Sequence, residues 1–281
     1  MLNTLISTDE LESRLGQPDL VICDVRHDLT KPGDWGKAQY DAGHIPGAVF
    51  VHLDRDLSAP MTGSNGRHPL PTPETAAATF GRLGISANKQ VVAYDQGGGA
   101  FAARLWWMLR WLGMESVAVL DGGYAKWAGE GRVASEDAEV LQPTQFKIRR
   151  VTPTVSASGV MASLARQTLL LLDARAPERF RGETEPLDPV AGHIPGARNR
   201  PYTQNLNPDG TFKHPAFLRA EFGAILDGVS EDLVVHQCGS GVTACHNILA
   251  MEVAGLHGTR LYPGSWSEWC ADPARPVALG P

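Results

Sequence analysis

Cysteine is scarce in this sequence. The 281 residues include four cysteines, and no two of them have the CxxC spacing that is typical of a structural zinc site. We therefore expect neither a bound metal nor a cofactor. So few cysteines in a chain of this length are typical of a reducing compartment, which predicts a cytoplasmic protein.

Other absences exclude two classes of partner. The net charge is -6 and no cluster of basic residues is present, so we expect no binding to nucleic acid. No apolar run approaches the length of a membrane span, and the N-terminus has neither the basic start nor the apolar core of a signal peptide. An apolar content of 43% and a charged content of 20% instead indicate a globular protein with room for two domains.

One cysteine stands where reactive groups of α/β proteins are often found. Cys238 follows the apolar run that begins at Leu233, and Gly239 and Gly241 come before a helical pattern that starts at Thr243. A loop between a strand and a helix directs backbone N–H groups and the positive end of the helix dipole inward. A thiol in that loop should be acidified, and the thiolate is the nucleophile. The alternative is a small, buried, apolar residue.

The order of motifs occurs twice along the chain. The hexapeptide GHIPGA is found at 43–48 and again at 192–197, and three further segments are repeated around it. These pairs are Ile22–Arg26 with Leu169–Arg175, Gln90–Tyr94 with Leu233–Gln237, and Leu120–Trp127 with Leu261–Trp269. Alternating strands and helices in each copy predict two α/β domains, each a mostly parallel sheet with helices on both faces.

The repeat also sets the expected domain limits and their roles. We predict domains at residues 1–140 and 155–281, joined by a polar linker at 141–154. The first copy has Asp95 at the position of Cys238. An aspartate cannot act as a thiolate, so only the second domain should be catalytic.

These motifs together resemble those of a known family. The order DVR, GHIPGA, strand–loop–helix and GGYxxW, present twice with a cysteine loop only in the second copy, is similar to the tandem-domain sulfurtransferases of the rhodanese superfamily. The loop Cys238–Thr243 resembles that of 3-mercaptopyruvate sulfurtransferases. Thiosulfate sulfurtransferases usually have a basic pair after the cysteine, where this chain has Gly239 and Ser240.

The resemblance implies a reaction in two steps. Cys238 takes a sulfane sulfur from a small-molecule donor, 3-mercaptopyruvate or thiosulfate, and becomes a persulfide. A thiol acceptor, such as a thioredoxin-like protein, or cyanide then removes the sulfur. Two alternatives stay open at this point: a cysteine phosphatase, which needs an arginine near the end of the loop where this chain has Ala244, and a sulfur-carrying module without efficient turnover.

The resemblance also assigns roles to side chains outside the cysteine position. It implies that Ser240 exchanges a proton with the donor, with His68 as its base and Asp54 orienting His68. Backbone amides of the loop would bind the sulfur anion; they belong to Gly239, Gly241, Val242 and Thr243. Taken from the residues alone, His68 is better explained as a loop histidine that caps the backbone, and Asp54 as a turn residue.

Arg179 matches the arginine with which the family binds the anionic group of the donor. The alternative explanation for Arg179 is a solvated surface arginine, or one that pairs with Glu178 or Glu183. Mercaptopyruvate enzymes often have a second arginine about nine residues later, but this chain has Asp188 there. Arg198 and Arg200 are candidates for its replacement. The missing arginine leaves the donor open between mercaptopyruvate and thiosulfate.

Overall fold

Two parallel β-sheets form the centres of the two halves in a computed structural model that describes residues 2–281. The first sheet has the strand order β1-β5-β4-β2-β3 and the second has the order β7-β6-β8-β9. Every pair of neighbouring strands is parallel. The predicted fold class, two α/β domains that each contain a parallel sheet, is confirmed.

The first sheet consists of short strands with six helices around it. The strands are β1 (Leu5–Ile6), β2 (Leu20–Asp24), β3 (Ala48–Phe50), β4 (Gln90–Tyr94) and β5 (Val117–Leu120). The helices are α1 (Thr8–Glu12), α2 (Trp35–Ala42), α3 (Leu53–Asp56), α4 (Pro73–Arg82), α5 (Ala102–Trp111) and α6 (Gly123–Gly129). All residues of β4 and β5 are buried, as expected for strands covered by helices on both faces.

The second sheet repeats this plan with four strands. They are β6 (Leu170–Asp173), β7 (Arg198–Asn199), β8 (Val234–Gln237) and β9 (Arg260–Leu261). The helices are α7 (Ala157–Leu164), α8 (Pro177–Phe180), α9 (Pro215–Leu226), α10 (Ala244–Val253) and α11 (Ser265–Trp269), with short 3₁₀ turns at Tyr202–Asn205 and Glu231–Leu233. None of the helices within residues 2–281 has both the length and the apolar character needed to span a bilayer.

The chain divides into two compact units that are not continuous in sequence. The first unit comprises the residues up to Ser58 together with Pro71–Thr152 and Leu206–Phe212, and the second comprises Ala59–Leu70, Pro153–Asn205 and Lys213–Pro281. The segment Ala59–Leu70, which includes His68, thus belongs to the unit that contains Cys238. Most of the stretch predicted as a linker packs on the first unit, where the Thr144 N–H donates to the Gly81 carbonyl.

An aspartate–arginine pair lies at the end of one strand in each unit. Arg26 donates to Asp24 and, at 2.7 Å, to the carbonyl of Gly43, and Arg175 donates in the same way to Asp173 and, at 2.8 Å, to the carbonyl of Gly192. The two glycines begin the GHIPGA turns. The repeated hexapeptide therefore has a structural role, because in each unit an arginine joins the turn to the end of a strand.

The first unit contains the loop that corresponds to the cysteine loop, and an anion lies at its centre. The Asp95 carboxylate is fully buried and accepts hydrogen bonds from four backbone N–H groups at 2.7–3.1 Å. The four donors are Gly97, Gly99, Phe101 and Ala102. Burial raises the pKa of Asp95 above its ordinary value, and the N–H groups oppose that shift.

Replacing Asp95→Ala should destabilise the protein by at least about 2 kcal/mol, because several buried N–H groups would lose their acceptor at once. The midpoint of urea denaturation measures this change. Asp41→Ala is the matched control, since Asp41 is 55% exposed and pairs with Lys37 on the helix surface. Equal midpoints for the two variants would contradict the role assigned to the carboxylate.

Candidate active site

Cys238 lies directly after β8, in the loop that leads into α10. Its side chain is buried, and the Gly241 N–H donates to its Sγ atom at 3.2 Å. Gly241 has a φ of +78°, and a Cβ atom there would lie 2.2 Å from the carbonyl oxygen of Pro263. Only glycine can occupy this position without moving the backbone, so the turn that aims an N–H at the sulfur depends on it.

The loop backbone is held by the first residues of α11. The Cys238 N–H donates to Ser265 Oγ at 3.1 Å, and the N–H groups of Trp266 and Ser267 donate to the carbonyls of Cys238 and Gly239 at 3.0 and 2.9 Å. Ser265 Oγ in turn donates to the carbonyl of Tyr262. Three hydrogen bonds therefore fix the peptide groups on both sides of the cysteine.

Ser265 holds the backbone of the loop and was not identified from the sequence. It has a φ of +54°, a conformation that favours glycine, and the repeat offset of 142 residues aligns it with Gly123 in the first unit. In that unit the N–H of Tyr124 donates to the carbonyl of Asp95, as the N–H of Trp266 donates to the carbonyl of Cys238. Gly123 has no side chain that could accept a hydrogen bond from the loop. The sequence does contain a signal for this role, because the second copy of the repeat has a serine where the first copy has a glycine.

Ser240 and His68 lie together, as the family resemblance implied. Ser240 Oγ and His68 Nδ1 are 2.7 Å apart, and both side chains are buried. The position of His68 is set by the segment Ala59–Leu70, in which the N–H of Arg67 donates to Ser267 Oγ at 3.1 Å. A hydroxyl two residues after the cysteine is therefore hydrogen-bonded to an imidazole.

Asp54 lies in the first unit, in the first turn of α3. Its backbone N–H donates to His52 Nδ1 at 3.1 Å, and its side chain is about half exposed. Its predicted role in orienting His68 stays a prediction.

The remaining loop residues have distinct local roles. The carbonyls of Val242 and Thr243 accept from the N–H groups of Cys245 and His246 in the first turn of α10, and the Cys245 thiol donates to the Gly241 carbonyl at 3.4 Å. Cys245 is fully buried.

Arg179 is near the loop and forms its ion pairs with different partners from those considered in the sequence. It donates to Glu185 at 2.7 and 3.2 Å and to Asp188 at 3.3 Å, whereas Glu183 pairs with Arg181. A Cβ atom built on Gly239 would lie 3.5 Å from both terminal nitrogens of Arg179. The guanidinium is therefore beside the residue that follows Cys238.

Neither of the two arginines proposed as replacements for the second family arginine has its contacts at this loop. Arg198 is exposed and donates to the carbonyl of Ile225, and Arg200 pairs with Glu221 at 2.6 Å and with Asn205 at 3.0 Å. Arg67, which the sequence did not single out, is beside Gly239 instead.

Other titratable groups nearby are poorly suited to the chemistry. Burial lowers the pKa of His236 to about 3, so its imidazole is neutral at physiological pH and is a weak base. Burial raises the pKa of Cys270 to about 11, and it raises that of Cys23 further, so both stay protonated thiols. Within residues 2–281, no group of three histidine, cysteine, aspartate or glutamate side chains could hold a metal ion.

The fold and this loop define a class of protein: a two-domain α/β protein with a buried thiol in the loop that follows a strand of its second sheet. Residues 7–130 and 156–272 match the family of rhodanese-like domains. The chain therefore belongs to the rhodanese-like family, as the motifs suggested, and it is a sulfurtransferase.

Related proteins cover nearly the whole chain. A probable 3-mercaptopyruvate sulfurtransferase of Pseudomonas aeruginosa is 48% identical over 279 residues, which cover 98% of both chains. A putative thiosulfate sulfurtransferase, SseB of Mycobacterium tuberculosis, is 41% identical over 286 residues, 98% of this chain and 97% of the relative. The crystal structure of SseA from Escherichia coli, described as a 3-mercaptopyruvate sulfotransferase, is similar with a TM-score of 0.81 and 35% identity over 95% of this chain and 100% of that one.

Substitutions at Ser265 should separate loop geometry from backbone strain. Ser265→Ala and Ser265→Gly both remove the acceptor of the Cys238 N–H, so we expect both to slow sulfur transfer by about tenfold. Glycine also relieves the positive φ, so Ser265→Gly should be more stable than Ser265→Ala by roughly 1 kcal/mol. Steady-state rates and thermal unfolding measure the two effects, and normal rates in both variants would contradict the role of the hydroxyl.

Proposed function

We propose that this enzyme transfers a sulfane sulfur from 3-mercaptopyruvate to a thiol or to cyanide through a persulfide on Cys238. The observation that carries the proposal is the Ser240–His68 pair at 2.7 Å, two residues from a cysteine whose sulfur accepts a backbone N–H. The names of the Pseudomonas aeruginosa and Escherichia coli relatives support the same donor.

In the first step the Cys238 thiolate attacks the sulfur of the donor. The new S–S bond forms while the C–S bond of mercaptopyruvate breaks, and the electron pair of that bond passes to the carbon of the pyruvate enolate. The donor thiol loses one proton and the enolate carbon gains one, so the products are the persulfide anion and pyruvate. Covalent catalysis divides the transfer into two easier reactions.

Ser240 and His68 carry this proton in our proposal. A hydroxyl that is hydrogen-bonded to an imidazole can accept a proton from the donor thiol and return it to the carbon. Asp54 would hold His68 in the tautomer that serves Ser240, a role that the family resemblance supports.

The loop and Arg179 bind the charged parts of the reactants in this scheme. N–H groups of Gly239, Gly241, Val242 and Thr243 stabilise the thiolate and the persulfide, and the Gly241 N–H at 3.2 Å from the sulfur supports this role. Arg179 binds the donor carboxylate, because a guanidinium offers paired donors to a planar anion.

In the second step a thiol acceptor or cyanide attacks the outer sulfur and releases the Cys238 thiolate. We propose a thioredoxin-like protein as an acceptor and a cytoplasmic location, and the small number of cysteines, four in 281 residues, supports a reducing environment. We further propose that residues 155–281 form the catalytic domain and that residues 1–140, with Asp95 in their loop, form a domain without thiol chemistry, joined by the linker 141–154.

Thiosulfate is the second candidate donor, and the name of the Mycobacterium tuberculosis relative favours it. In this case sulfite leaves with the electron pair of the broken S–S bond, so the first step needs no proton. The requirement for Ser240 therefore distinguishes the two donors.

Cys238→Ser should abolish sulfur transfer from either donor and leave the fold intact. Intact-protein mass spectrometry after incubation with mercaptopyruvate should show one added sulfur atom in the wild type, removed by cyanide, and none in the variant. Cys245→Ser is the matched control and should still take up sulfur. Sulfur uptake by Cys238→Ser would contradict the assignment, and a wild type that takes up sulfur but never releases it would instead support a sulfur-carrying module.

Ser240→Ala should lower kcat with mercaptopyruvate by about 100-fold, because proton transfer by a positioned group contributes at least that much. The same variant should lose far less activity with thiosulfate. Steady-state kinetics with both donors measure the difference, and His68→Gln should show the same selectivity. An equal loss with both donors would indicate that Ser240 only shapes the loop.

A further inference from the structure

We propose that Arg67 supplies a second guanidinium for the anionic group of the sulfur donor, next to Arg179. This inference rests on the proposed function and identifies a residue that sets donor affinity. Arg67 belongs to the segment Ala59–Leu70, far in sequence from the cysteine loop but part of the same compact unit.

Both guanidinium groups lie against the same residue of the loop. A Cβ atom built on Gly239 would be 2.8 Å from Nη2 of Arg67 and 3.5 Å from Nη1 and Nη2 of Arg179. Gly239 follows Cys238 directly, so the two cations lie beside the residue next to the proposed nucleophile. The absence of a side chain at Gly239 leaves room for the Arg67 guanidinium at this distance.

Buried carboxylates hold the two arginines from one side. Arg67 donates from Nε and Nη2 to Asp188 at 2.9 and 3.1 Å, and Arg179 donates from Nε and Nη2 to Glu185. The side chains of Asp188 and Glu185 are only 2% and 3% exposed, whereas those of Arg67 and Arg179 are 23% and 17% exposed. The carboxylates therefore face the interior, and the accessible part of the cluster is cationic.

Each arginine retains donors for a ligand. A guanidinium has five N–H groups, and no hydrogen bond described within residues 2–281 uses Nη1 of Arg67 or of Arg179. Since a carboxylate or sulfonate accepts two or more such bonds, two fixed guanidiniums can bind it from both sides.

Asp188 orients an arginine that comes from a distant segment of the chain, at residue 67. The backbone at this position is also fixed, because the Arg67 N–H donates to Ser267 Oγ and Gly66 packs against the carbonyl of Gly264.

The test compares donor affinity in variants of the full-length enzyme. Arg67→Ala should raise KM for mercaptopyruvate and for thiosulfate by about tenfold or more, with kcat changed less than threefold, because one charge-assisted hydrogen bond is worth at least a factor of ten. Arg179→Ala should behave similarly. Arg181→Ala is the matched control, because Arg181 is exposed and pairs with Glu183, and its KM should equal that of the wild type.

A double variant separates donor binding from a structural ion pair. Arg67→Ala leaves Asp188 without one of its partners, so Arg67→Ala/Asp188→Asn removes the buried charge as well. If Arg67 only neutralises Asp188, the double variant should recover the wild-type KM. A KM that stays about tenfold raised supports donor binding, and a wild-type KM would overturn the inference.

A binding measurement keeps this test independent of turnover. In the Cys238→Ser background, titration calorimetry with mercaptopyruvate and with thiosulfate should show a Kd about tenfold higher when Arg67 is replaced by Ala. An enzyme that binds either anion through Arg67 but forms no persulfide would refute the proposed function and retain this inference. Normal turnover with Kd and KM both independent of Arg67 would refute this inference alone.

Discussion

The hydrogen bonds between the start of α11 and the cysteine loop are the constraint on which the site depends. Ser265, Trp266 and Ser267 fix the peptide groups of Cys238 and Gly239, and the turn at Gly241 then directs an N–H toward the sulfur. A short loop has few side chains with which to hold an anion, so the position of its backbone decides what it binds. The remaining groups of the site are arranged around this backbone.

The two halves of the chain show how one loop can hold two different anions. In the first unit a carboxylate belonging to the chain itself, that of Asp95, accepts four backbone N–H groups. An acidic side chain that accepts four N–H groups indicates that this loop geometry favours a negatively charged group. In the second unit the aligned residue is Cys238, whose charge would be formed and extended by one sulfur atom during the reaction. The duplicated fold thus has a loop with a carboxyl group at its centre in one unit and a loop with a thiol at its centre in the other.

Much of the fold could be predicted because its signals are local. Apolar runs such as Gln90–Tyr94 and the repeated GHIPGA turns identify strands, bends and the duplication without any knowledge of contacts. The place of Cys238 followed from the strand before it and the glycines after it. The Ser240–His68 pair was implied by resemblance to a family, since nothing in the residues alone joins positions 172 apart in sequence.

The parts that could not be predicted depend on distant contacts. Arg67 is held by Asp188, 121 residues away, and its N–H is bonded to Ser267, 200 residues away. No periodicity or spacing indicates that Ala59–Leu70 leaves its own half to join the other unit. Arg198 and Arg200 were considered because they are near in sequence, but Arg198 donates to the carbonyl of Ile225 and Arg200 donates to Glu221 and Asn205.

The most direct test is a crystal structure of the enzyme after reaction with mercaptopyruvate in the absence of an acceptor. We expect the density of a second sulfur on Cys238, with the outer atom within hydrogen-bond distance of at least two backbone N–H groups of the loop. An outer sulfur that points away from every loop amide, or that is attached to another cysteine, would contradict the claim that this backbone binds the transferred sulfur.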